Sequence, residues 1–220
     1  MEAKYHMTRE QSVFVAKRNI VDYIWKSAHL EGLAVTYPET DAIFNGMGVT
    51  GVKVSDIIVV NNLKHAWQFL LDNLDYPIDF RFICQLHKLV GKETAVLNAG
   101  YLRTVDVSIG GTTWRPGIPD EEQVKEDLQK LLENPDPTDR ALELMLYLVR
   151  KQLFYDGNKR VSMLAANHVM VANGCGVISI PIERQVPFMG LLVRYYETGD
   201  AGEIKQYLYD FCIDGIQFEG

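Results

Sequence analysis

"KQLFYDGNKRVSM" (residues 151–163) sets Asp156, Gly157, Asn158, Lys159 and Arg160 between two of the most apolar stretches of the chain. Those stretches, "ALELMLYLVRKQLF" (141–154) and "RVSMLAANHVMVANG" (160–174), are apolar on nearly every face. Helices of that kind sit at the centre of a fold, covered all round by others. The loop between them therefore opens at the mouth of the core. Gly157 permits a positive-φ turn, and Asn158, Lys159 and Arg160 begin the second helix, whose first amides have no intrahelical partners. Such a helix start favours an anion, phosphate above all. Asp156 supplies a hard oxygen for Mg²⁺, which commonly binds one or two carboxylates plus substrate phosphates. Asp-Gly-Asn is also ordinary turn chemistry, so local physics leaves a phosphate site and a plain turn both open.

Outward from this loop the periodicity is helical. Val13, Phe14, Ile20, Val21, Ile24 and Ala28 recur at three- and four-residue steps through 10–31, and Gly32 stands where that helix ends. Further helices are expected over 56–73, 79–90 and 120–133, the last with carboxylates in its first turn. Amphipathic patterns over 184–198 and 201–213 complete the set. One stretch breaks period: in "YLRTVDVSIGGTTWRPG" (101–117), Val105, Val107 and Ile109 alternate with Asp106 and Ser108 ahead of Gly110-Gly111. That predicts a β-hairpin. The fold class is all-α, about eight helices around a central pair, with one hairpin.

Composition narrows the function. A chain of 220 residues, 47% hydrophobic, buries a real core, and its net charge of −7 is spread without blocks. An acidic, evenly mixed surface argues against nucleic-acid and anionic-membrane binding. Cys84, Cys175 and Cys212 are widely spaced and lack a C-x-x-C, which fits reduced thiols and a cytoplasmic location. No apolar run approaches the ~20 residues of a membrane span. His6, His29, His65, His87 and His168 form no zinc-type pair; His87 reads as a packed helix histidine, and Trp67 and Trp114 as packing residues.

The string "QLFYDGNKR" (152–160) resembles the Fic/Doc signature, H-x-F-x-D/E-G-N-G/K-R, at every fixed position except the first. "SAHLEG" (27–32) is similar to the S/T-x-x-x-E-G/N inhibitory motif of some Fic proteins, and "AGYLRTVDVSIGG" (99–111) to the family's flap. The tail "RYYETGDAGEIKQYLYDF" (194–211) is similar to its closing helices. The resemblance implies one Fic-type domain over 1–220, with an inhibitory-helix region at 1–50 and a core at 51–220. It implies transfer of AMP from Mg²⁺-ATP to a target-protein hydroxyl. Residue by residue, Phe154 would anchor the loop, Asp156 would bind the metal, and Gly157, Asn158, Lys159 and Arg160 would hold phosphate. Arg103, Thr104, Val105, Asp106, Val107, Ser108 and Ile109 would dock the target protein as an added strand. Ser27, Glu31 and Gly32 would form the inhibitory finger. A homo-oligomer is compatible with all of this.

Two departures bear on activity. The position of the family's catalytic histidine is Gln152, whose carboxamide accepts no proton near neutral pH, and a lost general base typically costs ~10²–10⁴-fold. The second arginine, which normally pairs with the inhibitory glutamate, is Met163, so Glu31 is expected to lack a partner. The readings open to the sequence are a weakened or altered AMP transferase, a nucleotide-binding pseudoenzyme that regulates or binds proteins, and a Doc-like phosphotransferase.

Overall fold

The computed structural model describes residues 1–94 and 96–217. Ten α-helices run in the order α1 (Arg9–Arg18), α2 (Ile20–Leu30), α3 (Tyr37–Phe44), α4 (Val54–Asp72), α5 (Phe80–Val90), α6 (Glu121–Leu132), α7 (Pro137–Lys151), α8 (Asn158–Ala172), α9 (Gln185–Thr198) and α10 (Gly202–Phe211). α8 is the axle. Every residue from Val161 to Val171 is buried, and α7, α5, α1 and α4 pack around it. The all-round apolar pattern of 160–174 is thus realised as a helix with no solvent face. No described helix is long and apolar enough to cross a membrane.

The central pair is held at both ends. Beyond its last turn, Gly174 has φ +69°, and a Cβ there would lie 1.9 Å from the Met7 carbonyl oxygen. Only glycine allows the N-terminal segment to approach so closely, and Met7 N–H donates to Gly174 O at 3.0 Å. Inside α8 the buried Asn167 pairs with the backbone of Ile178, donating to its carbonyl at 2.9 Å and accepting from its N–H at 2.6 Å. That bond pins β1 (Val177–Ile178), which pairs antiparallel with β2 (Ile213–Asp214).

The structure alters three expectations. The helix expected over 10–31 is two helices, broken at Asn19 (φ −104°, ψ 8°). Its side chain donates to Asp214 and Tyr23, and such short amides compete with helical geometry. α3 was not foreseen, although "TYPE" (36–39) carries its signature: Thr36 and Glu39 form a capping box and Pro38 sits in the first turn. The strand pairing expected across the 103–109 arm is not formed. Among the described residues, the one ladder is β1–β2, and no backbone–backbone hydrogen bond engages 104–119. The arm turns at Gly110–Gly111 and is closed at its base by a side chain, described next.

Candidate active site

The loop between α7 and α8 is bracketed by two left-handed residues. Gln152 caps α7 at φ 49°, ψ 61°, and Gly157 opens α8 at φ 79°. Between them Leu153 and Phe154 are buried. Asn158 braces the turn: its Oδ1 accepts from Phe154 N–H at 3.0 Å, and its Nδ2 donates to Phe154 O at 2.8 Å and to Gln152 Oε1 at 3.0 Å. The Asn158 side chain is therefore committed to the loop, and only its main chain is available to an anion. Phe154 is the anchor expected of it, 1% exposed and stacked on His87 with ring centroids 3.7 Å apart.

A cleft of about 370 Å³ lies over this turn. It is lined by Asp156, Gly157, Asn158, Lys159, Gln152 and Tyr155 from the loop, by Ser108, Ile109 and Gly110 from the arm, by Met189, Leu192, Val193 and Tyr196 from α9, and by Glu31. Asp156 stands at the lip with a largely exposed carboxylate; its Oδ1 accepts from Gly157 N–H at 2.6 Å. Arg160 does not line the cleft. It is 5% exposed beneath the loop, 3.4 Å from Asp156 Oδ2, with Nε lacking a hydrogen-bond partner among the described residues. No described group of three or more His, Cys, Asp or Glu side chains is disposed to hold a metal alone. One exposed carboxylate beside a helix start fits Mg²⁺, which commonly binds one or two carboxylates together with substrate phosphates.

Glu31 is not partnerless. As the cap of α2 it brings its carboxylate 3.6 Å from Lys159 Nζ, in the first turn of α8. Met163, in the place of the expected arginine, is buried in the core, and Lys159 supplies the charge instead. Ser27 is buried on α2, and Gly32 ends it at φ +80°.

The arm splits into a structural base and an open limb. Arg103 is 1% exposed, so its side chain cannot receive a target. Its guanidinium donates to Gln152 O (2.6 Å), Val105 O (2.8 Å), Pro116 O (3.2 Å) and Gly117 O (2.5 Å), tying both sides of the arm to the loop. From Thr104 to Asp106 the limb is exposed, Ser108 is exposed, and Val107 and Ile109 are half-buried, so the alternation read in the sequence holds over 106–109 and fails at Val105, which is exposed. Thr104 N–H donates to the Tyr155 phenol oxygen at 3.1 Å, and the two hydroxyls lie 3.0 Å apart. These contacts pull the Tyr155 pKa below its ordinary value.

His87 is the packed helix histidine expected of it, and it also joins two segments remote in sequence. Completely buried on α5, it bridges Gly100 N–H (2.8 Å to Nδ1) and Asp156 O (2.9 Å from Nε2). Burial, helped by the charge of Arg160, pushes its pKa down to about 4, so the ring is neutral at physiological pH. "QLHKLV" held no cue to this, because both partners are remote in sequence. Trp114 packs as expected, stacked on Tyr196 with Arg150 against its face. Trp67 is buried against Tyr23. His168 is buried far along α8 and bonded to Asn73 O.

A buried helix opening on a glycine turn, a carboxylate at the lip and an arm laid across the mouth define a Fic-type fold. Residues 77–170, from just before α5 into α8, match the model of the Fic/DOC family. Protein adenylyltransferase fic-1 from Caenorhabditis briggsae and its counterpart from Caenorhabditis elegans are each 26% identical to the chain over 210 residues. Those alignments cover 84% of this chain and 41% of each relative, so the chain spans about two-fifths of their length. Among solved structures, a fragment of Fic-1 from C. elegans superposes with a TM-score of 0.78 at 23% identity, covering 92% of this chain and 63% of that one. A Fic-domain signalling protein from Bacteroides thetaiotaomicron gives 0.75 at 17% identity, covering 92% and 85%. The helix that bears Glu31 lies outside the matched family segment.

Proposed function

We propose that the chain binds Mg²⁺-ATP over the 156–159 turn and transfers AMP to a hydroxyl of a protein docked along 104–109, slowly because of Gln152. One observation carries this reading: a single cleft gathers the α8 helix start, the Asp156 carboxylate and the tip of the arm. The relatives named adenylyltransferases support it. In the transfer, the target hydroxyl oxygen attacks the α-phosphorus, the α–β bridging bond breaks, and pyrophosphate departs. Asp156 would hold Mg²⁺ together with the phosphates, and the ion would supply positive charge against their oxygens. The amides at the start of α8 orient those oxygens. The backbone of the arm beyond Val105 would add the target as a strand. The hydroxyl proton leaves to solvent, since Gln152 cannot take it. Glu31, placed over the phosphate end of the cleft, competes with the nucleotide for Lys159.

A second reading, a nucleotide-binding regulatory module without chemistry, is favoured by the Gln152 side chain. Its carboxamide is satisfied internally, Nε2 donating to Val149 O at 2.7 Å and Oε1 accepting from Asn158. Incubation with ATP labelled separately at the α and γ positions decides between them. Protein-bound α label means AMP transfer, γ label means a Doc-like phosphotransferase, and neither, with ATP binding intact, means the regulatory module.

A further inference from the structure

We infer that His87 and Arg103 are positioning residues that fix opposite ends of the 152–156 loop independently: Arg103 the Gln152–Leu153 end, His87 the Asp156 end. The inference rests on reading this loop as the nucleotide and metal site.

The loop needs external support. Gln152 is a non-glycine residue in the left-handed region, and such conformations persist only where their surroundings over-determine them. At the first end, Arg103 N–H donates to Leu153 O at 3.0 Å while its Nε donates to Gln152 O at 2.6 Å. Among the described residues, every other hydrogen bond of that guanidinium is also to a main-chain carbonyl, on the two sides of the arm. A planar fork of five donors can serve carbonyls in several directions at once; a lysine ammonium on a flexible stem cannot. Arg103 therefore sets the arm's register against the Gln152 backbone.

At the other end the chemistry is different. Gly100 N–H must donate to His87 Nδ1, so that nitrogen carries no proton. Nε2 then holds the hydrogen and donates it to Asp156 O. One tautomer satisfies both partners, and the ring's stacking on Phe154 fixes its plane. His87 holds the main chain of the residue whose carboxylate stands at the cleft lip, without touching that carboxylate. The outer partners of metal-binding residues typically set about 10–100-fold of metal affinity.

Two variants separate the ends. His87→Phe keeps the ring and its stacking but removes both hydrogen bonds; Arg103→Lys keeps the charge but removes the fork. Calorimetry with ATP in Mg²⁺ and in EDTA, and amide hydrogen exchange on the ligand-free protein, read the outcome. For His87→Phe the expectation is about a tenfold loss of Mg²⁺-ATP affinity, metal-free ATP binding within about twofold of wild type, and at least tenfold faster exchange at Gly100 but not at position 103. For Arg103→Lys the pattern reverses: faster exchange at position 103, Gly100 unchanged, and Mg²⁺-ATP affinity within about twofold. Equal loosening of both amides by either variant, or of neither, overturns the inference. If wild type binds no nucleotide, the proposed function fails while the exchange pattern still decides the two-ended support. Should a variant not fold, ¹⁵N spectra of the wild-type His87 ring at neutral pH decide: a protonated Nε2 with a bare Nδ1 supports the inference, and the opposite or an exchanging tautomer overturns it.

Discussion

Lys159 Nζ lies 3.6 Å from Glu31 Oε2, joining the glutamate of the "SAHLEG" stretch to the first turn of α8. Both side chains are well covered, 26% and 15% exposed, so the pair is screened less than one on the open surface. It lies in the cleft at the helix start where the proposed function puts phosphate. In the inhibited arrangement implied by resemblance an arginine stood one turn further along, at Met163. Here the same carboxylate reaches a cation already on the loop.

Replacing Glu31 by Gly should therefore release Lys159 and remove a negative charge from the phosphate end of the cleft. Affinity should rise more for ATP than for AMP, by up to about tenfold, or ~1.4 kcal/mol. Glu31→Gln keeps the bulk and drops the charge, so comparing the two variants by calorimetry separates electrostatic from steric obstruction. Identical ATP affinities in wild type and both variants would leave Glu31 a helix cap and nothing more.

Stability should fall on mild acidification. His87 has a folded pKa of about 4 because burial disfavours its charged form, whereas an unfolded histidine titrates near ~6.5. As pH drops through that window the unfolded chain takes up a proton that the folded chain refuses, so stability is full above pH ~6.5 and declines toward pH 4. His168, also lowered by burial, acts in the same direction. Urea unfolding at pH 7.5 and pH 5 should differ by roughly 2 kcal/mol from His87 alone. A flat profile over that range would show the ring to titrate in the folded chain as it does in the unfolded one.

These two cases mark what the sequence could convey. The central helices, the loop between them and the anchoring Phe154 were legible, because unbroken apolarity and a glycine turn act over a few residues. So was the alternation over 106–109, but not the exposure of Val105 or the absence of a ladder, which depend on where Arg103 finds carbonyls. The Glu31–Lys159 pair and the His87 bridge join residues 128 and 69 positions apart (159 − 31; 156 − 87). Periodicity and propensity say nothing about such distances. Asn158 was read as part of an anion cradle, whereas its side chain faces inward to the loop backbone.

That inward bracing makes Asn158 a stability residue. Asn158→Ala would strip partners from the buried Phe154 N–H and C=O, and each unsatisfied buried group costs about 1–3 kcal/mol. A loss of ~2 kcal/mol or more is expected, a fall in melting temperature of roughly 4–8 °C for a chain of this size. Asn158→Asp keeps the acceptor for Phe154 N–H but loses the donor to Phe154 O, and should fall between. Calorimetric melting of the three proteins tests the order; an Ala variant as stable as wild type would mean that water replaces the side chain at no cost.

The last expectation concerns Gln152. If metal, phosphates and target strand are positioned as proposed, the missing base is the chief defect, and Gln152→His should supply it. The backbone favours the change, since histidine is among the residues tolerated at positive φ, and Gln152 sits at φ 49°. The cost is the pair of bonds from its carboxamide to Val149 O and Asn158; Asn158 keeps both of its Phe154 contacts. Transfer of α label onto protein, the chain itself included, should rise by ~10²-fold or more. Joining it to Glu31→Gly should raise transfer further, because the two changes act on different atoms of the cleft. If the histidine variant binds Mg²⁺-ATP as wild type does yet transfers no label, the base was not what was missing, and the regulatory reading takes its place. If wild type already transfers AMP at the rate of the variant, a proton acceptor at position 152 is dispensable, and the transfer must rest on orientation by Asp156, Lys159 and the arm alone.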